Sequence, residues 1–315
     1  MTENNYENEG LEDWKEKTTK FHEALFSDPI DNYSIIDILC STTNEARQHI
    51  RGLYKSSYNT PIQNDIKSQL KDKLQQISID MFDTPYEYDA RELHSALNSL
   101  TNDDSVIIEI FASKPSVHLQ MVDEAYKLFF NTSLTDEITK HIGGIYGDFL
   151  ITLMNTERPN DQTISGGDAY EAADLLTNGG LANIGVNVEQ FKEIFVEKSR
   201  EDLILISRAY YERTQKSLYD AIDEEIEGKN KELLKGIIFA VITPAQWFAR
   251  KISEVKQGLG GDDNTIRRIL ISRAEIDMDG IRDYYLMETN NELRKDVYDN
   301  NNELYSQILI NLSAK

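Results

Sequence analysis

Short apolar windows recur along this chain at nearly constant intervals, and two further markers repeat in step with them. The apolar windows begin at Ile35, Ile107, Phe191 and Ile266. An aliphatic residue followed four positions later by tyrosine occurs at Ile50, Val122, Ile206 and Ile281. The third marker ends in the aliphatic residues Ile66, Ile138, Ile222 and Val297. All three sets are spaced by 72, 84 and 75 residues, which predicts four homologous repeats of about 70 residues.

Each repeat is predicted to contain five short helices. Leu, Ile, Glu, Lys and Ala dominate most windows, whereas the chain has only 6 Pro and 16 Gly, a composition that favours helix over sheet. Examples of the five in order are Trp14 to Phe26, the apolar window up to about Cys40, a helix begun by an N-cap such as Thr43 or Ser116, one starting around Thr60-Pro61, and Leu233 to Val241. Polar N-caps and a proline in the first turn are typical helix starts. The predicted fold class is all-α.

The markers also predict the boundaries of the repeats. We expect a short N-terminal head at 1–13, repeats at 14–85, 86–157, 169–243 and 244–315, and a linker at 158–168. The linker contains Pro159 and the pair Gly166-Gly167, residues typical of loops. It accounts for much of the wider middle interval and is predicted to join two halves of the chain.

The charge balance excludes several classes of partner. The chain has 33 basic and 55 acidic residues, a formal net charge of -22, which opposes binding to nucleic acid or to a bare anionic bilayer. Any approach to such a surface needs a cation in between. The single Cys40 forms no internal disulfide, and residues 1–10 lack the apolar segment of a signal peptide. No window approaches the roughly 18 apolar residues of a membrane span, so a soluble, cytoplasmic protein is expected.

A loop is predicted six positions before each apolar window, and two of the four loops contain glycine there. These positions hold Gly260 and Gly185 in the fourth and third repeats, and Pro29 and Thr101 in the first and second. Glycine-rich loops can turn backbone carbonyls towards calcium, which takes six to eight oxygen ligands. Forty positions later stand Asn300, Glu225, Gln69 and His141, respectively. Only the third repeat therefore combines the glycine with a carboxylate in register.

This pattern resembles the annexin family, whose four repeats of about 70 residues each have a G-x-G-[TG]-[DE] loop and an acidic residue about 40 positions later. The resemblance covers nearly the whole chain from about Trp14, and the segments 88–93 and 270–277 are similar to the most recognisable helices of the family. The short head and the degraded first and second loops are more like the divergent protist members, such as the alpha-giardins. The resemblance implies a slightly curved all-helical disc that binds acidic phospholipid peripherally through calcium.

The resemblance also implies a ligand set for each calcium site. In the third repeat it consists of the carbonyls of Gly180, Asn183 and Gly185 with the Glu225 carboxylate. In the fourth it consists of the carbonyls of Lys256, Gly258 and Gly260, with Asn300 where the family has an acid and with Asp299 or Glu303 as substitutes. One carboxylate among neutral carbonyls predicts weak unassisted binding, about 10⁻⁴ M or weaker, which lipid tightens.

The family further has a polar channel through the centre of its ring. The matching positions here are Asp89, Glu109, Lys114 and Arg268. Glu109 and Arg268 stand in otherwise apolar windows, so we expect them to pair across a repeat interface.

Other interpretations of the same residues remain open at this stage. The loop at 258–263 could be an ordinary turn, and Glu225 could be a solvated acid among Asp223, Glu224 and Glu227. The acids at 28, 31, 103 and 104 are more typical of helix starts than of metal ligands. An enzyme is not expected, because no nucleophile, base and oxyanion-donor set can be assembled. The main alternative is an annexin-like scaffold for cytoskeletal structures such as microtubules, with little calcium dependence, and oligomerisation is left open.

Overall fold

The computed structural model describes residues 3–178, 180–259, 262–298 and 302–315. Within these ranges the chain forms twenty α-helices and no strand, which confirms the all-α prediction. None of the helices in this part of the chain is long and apolar enough to cross a lipid bilayer.

Each predicted repeat contains five helices, as expected. In repeat 1 they are α1 (Glu3–Phe26), α2 (Asn32–Ser41), α3 (Asn44–Tyr58), α4 (Ile62–Gln69) and α5 (Asp72–Phe82). In repeat 2 they are α6 (Pro85–Leu97), α7 (Asp104–Ser113), α8 (Ser116–Phe130), α9 (Leu134–His141) and α10 (Gly144–Asn155). In repeat 3 they are α11 (Gly166–Asn178), α12 (Val188–Lys192), α13 (Arg200–Thr214), α14 (Leu218–Glu225) and α15 (Gly228–Ile242). In repeat 4 they are α16 (Pro244–Lys256), α17 (Asp263–Arg273), α18 (Met278–Thr289), α19 (Leu293–Asp296) and α20 (Glu303–Leu312).

The helix starts keep the register of the sequence markers. The second helix of each repeat begins at 32, 104, 188 and 263, and the fifth begins at 72, 144, 228 and 303, so both sets step by 72, 84 and 75. Repeat 3 departs locally, since α12 continues into a π-helical turn at Glu193–Glu197. Repeat 4 departs in α18, which begins three positions late, at Met278. In the turn before it, Arg273 donates to the carboxylate of the N-cap residue, Asp277, at 2.6 and 2.8 Å.

The predicted head is shorter than expected, because α1 begins at Glu3 rather than near Trp14. No proline interrupts this segment, so its sequence lets the helix continue. Most of the segment 1–13 therefore extends the first helix instead of forming a separate element.

The chain divides into two compact units, residues 1–85 with 248–315, and residues 86–247. Repeats 1 and 4 thus form most of unit 1, and repeats 2 and 3 form unit 2. The predicted linker at 158–168 lies inside unit 2, and its last three residues, 166–168, form the start of α11. It is held to repeat 3, where the Thr163 hydroxyl donates to Asp202 at 2.5 Å and Arg158 donates to the carbonyls of Phe195 and Lys198.

Several helix pairs join the two repeats of each unit, and one of them occupies the same register in both units. In unit 1 α5 packs against α17, and Arg267 lies 3.2 Å from the buried carboxylate of Asp80. In unit 2 α15 packs against α7, and a Cβ atom added to Gly236 would lie 2.8 Å from Cγ2 of Ile108. The same contact is therefore ionic in one unit and a close approach of backbone to side chain in the other.

The tyrosines of the second marker form the polar centre of each repeat's core. Tyr54, Tyr126, Tyr210 and Tyr285 are all buried. The Tyr54 hydroxyl donates to Asp65 at 2.6 Å, and the Tyr285 hydroxyl donates to Asp296 at 2.8 Å. The Tyr126 hydroxyl lies 2.9 Å from Nδ1 of His94, whose ring stacks on Phe130. Each of these three tyrosine hydroxyls therefore has a hydrogen-bond partner within its own repeat.

The close approach at Gly236 predicts an unusual response to alanine. Gly236→Ala should lower the free energy of unfolding by about 1–2 kcal/mol, because the new methyl group meets Ile108 in a packed interface. Gly52→Ala is the matched control, since nothing lies within 4 Å of a Cβ atom at that helical position. It should raise stability by about 0.5–1 kcal/mol. Urea unfolding measures both, and equal gains would contradict the packing described here.

The environment of His94 predicts a component of acid sensitivity. Burial lowers the pKa of His94 from its ordinary value of 6.5, so the unfolded chain binds this proton more readily than the folded one. The stabilisation is complete above about pH 6.5 and is lost as the pH falls below it. His94→Gln should therefore lose less stability than the parent between about pH 7 and about pH 5, as measured by thermal unfolding. A loss as steep as that of the parent would contradict this assignment.

Candidate metal sites

The predicted calcium loop of repeat 3, residues 180–187, is a compact turn. Gly180 has a φ of 67°, a conformation that favours glycine, and a 3₁₀ turn follows at Leu181–Asn183. The Gly180 carbonyl accepts from the N–H of Asn183 at 2.9 Å. The Asn183 carbonyl accepts from the N–H groups of Val186 and Asn187 at 2.8 and 3.2 Å. Two of the three predicted carbonyl ligands therefore already accept hydrogen bonds within the turn. A carbonyl oxygen has two lone pairs, so the Gly180 carbonyl, which accepts one bond, has more capacity left for an ion than the Asn183 carbonyl, which accepts two.

The predicted carboxylate of repeat 3 is placed beside this turn by helix packing. Glu225 is the last residue of α14, and α14 packs against the 3₁₀ turn at Leu181–Asn183. The buried side chains Leu181 and Ile222 belong to these two elements. Glu225 itself is exposed. The structure thus brings the loop and the element that carries its acid together, as the spacing of 40 residues predicts.

The predicted loop of repeat 4 follows α16, and its positions 260 and 261 lie outside the described residues. Gly258 has a φ of 71°, and the N–H groups of Gly258 and Leu259 donate to the carbonyls of Val255 and Glu254. Among the described residues, no backbone N–H donates to the carbonyl of Lys256 or Gly258.

Three predicted ligands of the repeat 4 site lie outside the described residues: Gly260, Asp299 and Asn300. Glu303 is the exposed first residue of α20, and α20 packs against α17, the helix that follows the loop. Asp262 caps α17 through bonds from the N–H groups of Asn264 and Thr265. Asp262 therefore serves as a helix N-cap, the role typical of acids at helix starts, close in sequence to the predicted metal ligands.

In the loops of repeats 1 and 2, the polar side chains form hydrogen bonds with the main chain. In repeat 1, Pro29 follows a cis peptide bond, and Asp31 accepts from the N–H of Ser34 as the N-cap of α2. In repeat 2, Asp103 caps α7, and the Asn102 side-chain amide donates to the carbonyl of His141 at 3.1 Å. This last bond joins the residue after Thr101 to the main chain of His141, which stands forty positions after Thr101. Asn102 is not among the residues predicted from the sequence, although its place beside Thr101 in the loop register was the available signal.

The chemistry of both sites agrees with a hard cation held mainly by backbone oxygens. The described residues contain no cluster of three or more His, Cys, Asp or Glu side chains suited to a metal. Calcium accepts carbonyl oxygens, whereas zinc prefers nitrogen and sulfur ligands. The five histidines have other partners: His22 and His94 contact tyrosine hydroxyls, His49 stacks on Trp14, and His118 and His141 lie within 3.3 Å of Asp89 and Glu137.

Two of the predicted channel residues lie together in unit 2. The Asp89 carboxylate is buried, 3.7 Å from the Lys114 ammonium group and 2.7 Å from Nε2 of His118. Glu109 is also buried in unit 2, and Arg268 is buried in unit 1. The pairing of Glu109 with Arg268 stays a prediction.

Comparisons with known proteins agree with this architecture. A family model described as Annexin matches residues 20–80, 88–153, 171–237 and 248–312. Rat annexin A1 is 28% identical over 291 residues, which are 92% of this chain and 84% of the relative. Mouse annexin A13 is 27% identical over 263 residues, 84% of this chain and 83% of the relative.

Solved structures show the same fold. Annexin III aligns with a TM-score of 0.89 and 24% identity over 96% of this chain and 94% of its own. The calcium-bound structure of alpha-14 giardin aligns with a TM-score of 0.77 and 16% identity over 94% of this chain and 97% of its own. The alpha-giardins are thus among the structural neighbours, as the sequence resemblance predicts. With four matched segments that span most of its length, and with five helices in each, this chain belongs to the annexin family.

Proposed function

We propose that this annexin binds acidic phospholipid membranes peripherally and in a calcium-dependent manner, through the loops of repeats 3 and 4. The observation that carries the proposal is the packing of α14, which ends in the exposed Glu225, against the turn that begins at Gly180. Backbone oxygens and one carboxylate then face the same ion. The protein would act as a membrane-associated scaffold.

The overall charge explains why the ion is needed. At a formal charge of -22, the chain is repelled by a negatively charged leaflet within the screening distance of about 8 Å at physiological salt. A calcium ion bound by few protein ligands keeps coordination positions for lipid phosphate oxygens. It therefore joins two surfaces that repel each other. Annexins generally bind acidic phospholipid through calcium and are generally non-enzymatic, which agrees with this mechanism.

The two loops differ in what they offer the ion. The repeat 3 loop has an acid in register, but its Asn183 carbonyl already accepts two hydrogen bonds. In the repeat 4 loop, no described backbone N–H group donates to the carbonyls of Lys256 and Gly258, and the ligand at the acidic position would be Asp299, Asn300 or Glu303. We infer that repeat 3 contributes a carboxylate in register and that repeat 4 contributes the carbonyls of its Gly258 turn.

Co-sedimentation with phosphatidylserine vesicles tests the proposal. The protein should pellet with vesicles in millimolar calcium, and it should stay in the supernatant with a chelator or with phosphatidylcholine alone. Glu225→Gln should raise the calcium concentration at half-maximal binding about tenfold if repeat 3 dominates, because the only charged ligand of that loop is lost. Glu224→Gln is the matched control, since its exposed neighbouring carboxylate pairs with Lys216. Calcium-independent pelleting, or none at all, would refute the proposal.

A second candidate function is a scaffold of annexin fold with little or no calcium dependence, associated with cytoskeletal structures such as microtubules. The hydrogen bond from the Asn102 side chain to the His141 carbonyl favours this candidate, because it connects the repeat 2 loop to the end of α9 without a metal ion. Binding to polymerised tubulin that is equal with calcium and with a chelator, and unchanged by Glu225→Gln, would favour this candidate.

A further inference from the structure

A second contact joins the two repeats of unit 2 at the end of their helix pair. The Lys229 ammonium group lies 2.8 Å from the Asp104 carboxylate and 5.7 Å from the centre of the Tyr146 ring. Lys229 stands in the first turn of α15, and Asp104 is the first residue of α7. The contact therefore ties repeat 3, close to Glu225, to the helix that follows the degraded loop of repeat 2.

Unit 1 contains the same arrangement. The Lys73 ammonium group lies 3.1 Å from the Asp263 carboxylate and 5.1 Å from the centre of the Tyr305 ring. Lys73 belongs to α5 of repeat 1, whereas Asp263 is the first residue of α17, directly after the repeat 4 loop. The lysine of each contact lies seven residues before the residue at the buried helix contact: Lys73 precedes Asp80, and Lys229 precedes Gly236.

The two contacts occupy equivalent positions in the repeat register. Lys73 and Lys229 correspond to each other, as do Asp104 and Asp263, and Tyr146 and Tyr305. In both units the lysine comes from an odd-numbered repeat, and the aspartate and tyrosine come from an even-numbered one. In both units one partner stands next to a predicted calcium ligand, and the other belongs to a repeat whose own loop has lost its glycine.

We propose that these ion pairs are positioning contacts, through which repeats 1 and 2 hold the calcium sites of repeats 4 and 3 in place. This inference rests on the proposed calcium function. Lys229 is four residues from Glu225 and separated from it only by the short connection between α14 and α15. Asp263 is five residues from Gly258. Fixing these neighbours lowers the conformational entropy that the ligands lose when the ion binds.

The sign of the effect separates positioning from simple electrostatics. Removing a lysine from the neighbourhood of a cation site lowers the local repulsion, so electrostatics alone would tighten calcium binding. Loss of a positioning contact would weaken it. Partly exposed ion pairs of this kind contribute modestly, which corresponds to a two- to fivefold change in the calcium midpoint.

A crossed set of variants tests the inference by calcium-dependent pelleting with phosphatidylserine vesicles. Gly258→Val blocks the repeat 4 loop, since a branched side chain is strained at its φ of 71°. In that background Lys229→Met should raise the calcium midpoint about two- to fivefold, whereas Lys73→Met should leave it unchanged. In a Glu225→Gln background, in which the repeat 3 site is weakened, Lys73→Met should raise the calcium midpoint about two- to fivefold, whereas Lys229→Met should leave it unchanged.

Two controls complete the design. Lys127→Met removes an equally exposed lysine from an ion pair of 2.7 Å on α8, and it should leave the midpoint unchanged or lower it. Asp104→Asn combined with Lys229→Met should be no weaker than either single variant, because both remove one contact. A midpoint that Lys229→Met leaves unchanged or lowers would overturn the inference while the parent still pellets with calcium. No calcium-dependent pelleting of the parent would overturn the proposed function as well.

Discussion

The structure of each unit depends on the packing of helices contributed by two different repeats. A single repeat of about 70 residues cannot bury both faces of its helices, so each must pack against a neighbour. Unit 1 meets this constraint with α5 and α17 around the pair Asp80 and Arg267. Unit 2 meets it with α15 and α7, where Gly236 allows Ile108 to approach the helix backbone. Neither solution can be converted into the other by one substitution, because a lone buried charge or a new methyl group would each be unfavourable.

The candidate sites use this framework in an economical way. Most of the predicted ligands are main-chain carbonyls, so in the proposed function the selectivity for the ion would come from backbone conformation at residues such as Gly180 and Gly258 rather than from a cluster of acids. The net negative charge would oppose contact with anionic membranes until calcium is present. Attraction would then depend on a few loop atoms, whereas repulsion would depend on the net charge of the whole molecule.

Much of the fold could be predicted from the sequence, because the helix starts follow the spacing of apolar residues. The spacing of 72, 84 and 75 residues held for the starts of the second helices, α2, α7, α12 and α17, and of the fifth helices, α5, α10, α15 and α20. It also placed Glu225 on the helix beside the Gly180 turn. The extension of α1 to Glu3 was missed, since acidic polar residues have no apolar face to show a helical period. The linker was expected to join two halves, and its hydrogen bonds to Asp202 and to the π-helical turn hold it to repeat 3 inside one unit. Such contacts depend on three-dimensional neighbours that periodicity does not identify.

The site could be predicted in outline but not in its hydrogen bonds. The spacing gave the residues of loops and caps, whereas the engagement of the Asn183 carbonyl and the bond from Asn102 to His141 depend on local backbone geometry. The paired lysines and aspartates carry a further consequence, which concerns the choice of neighbours. Lys73 matches Lys229, and Tyr146 matches Tyr305, but adjacent repeats have Ile145 and Leu304 at the lysine position and Leu74 and Asn230 at the tyrosine position. Within each unit the lysine and its tyrosine neighbour are therefore supplied by different repeats, so two copies of the same repeat would lack one partner of this contact.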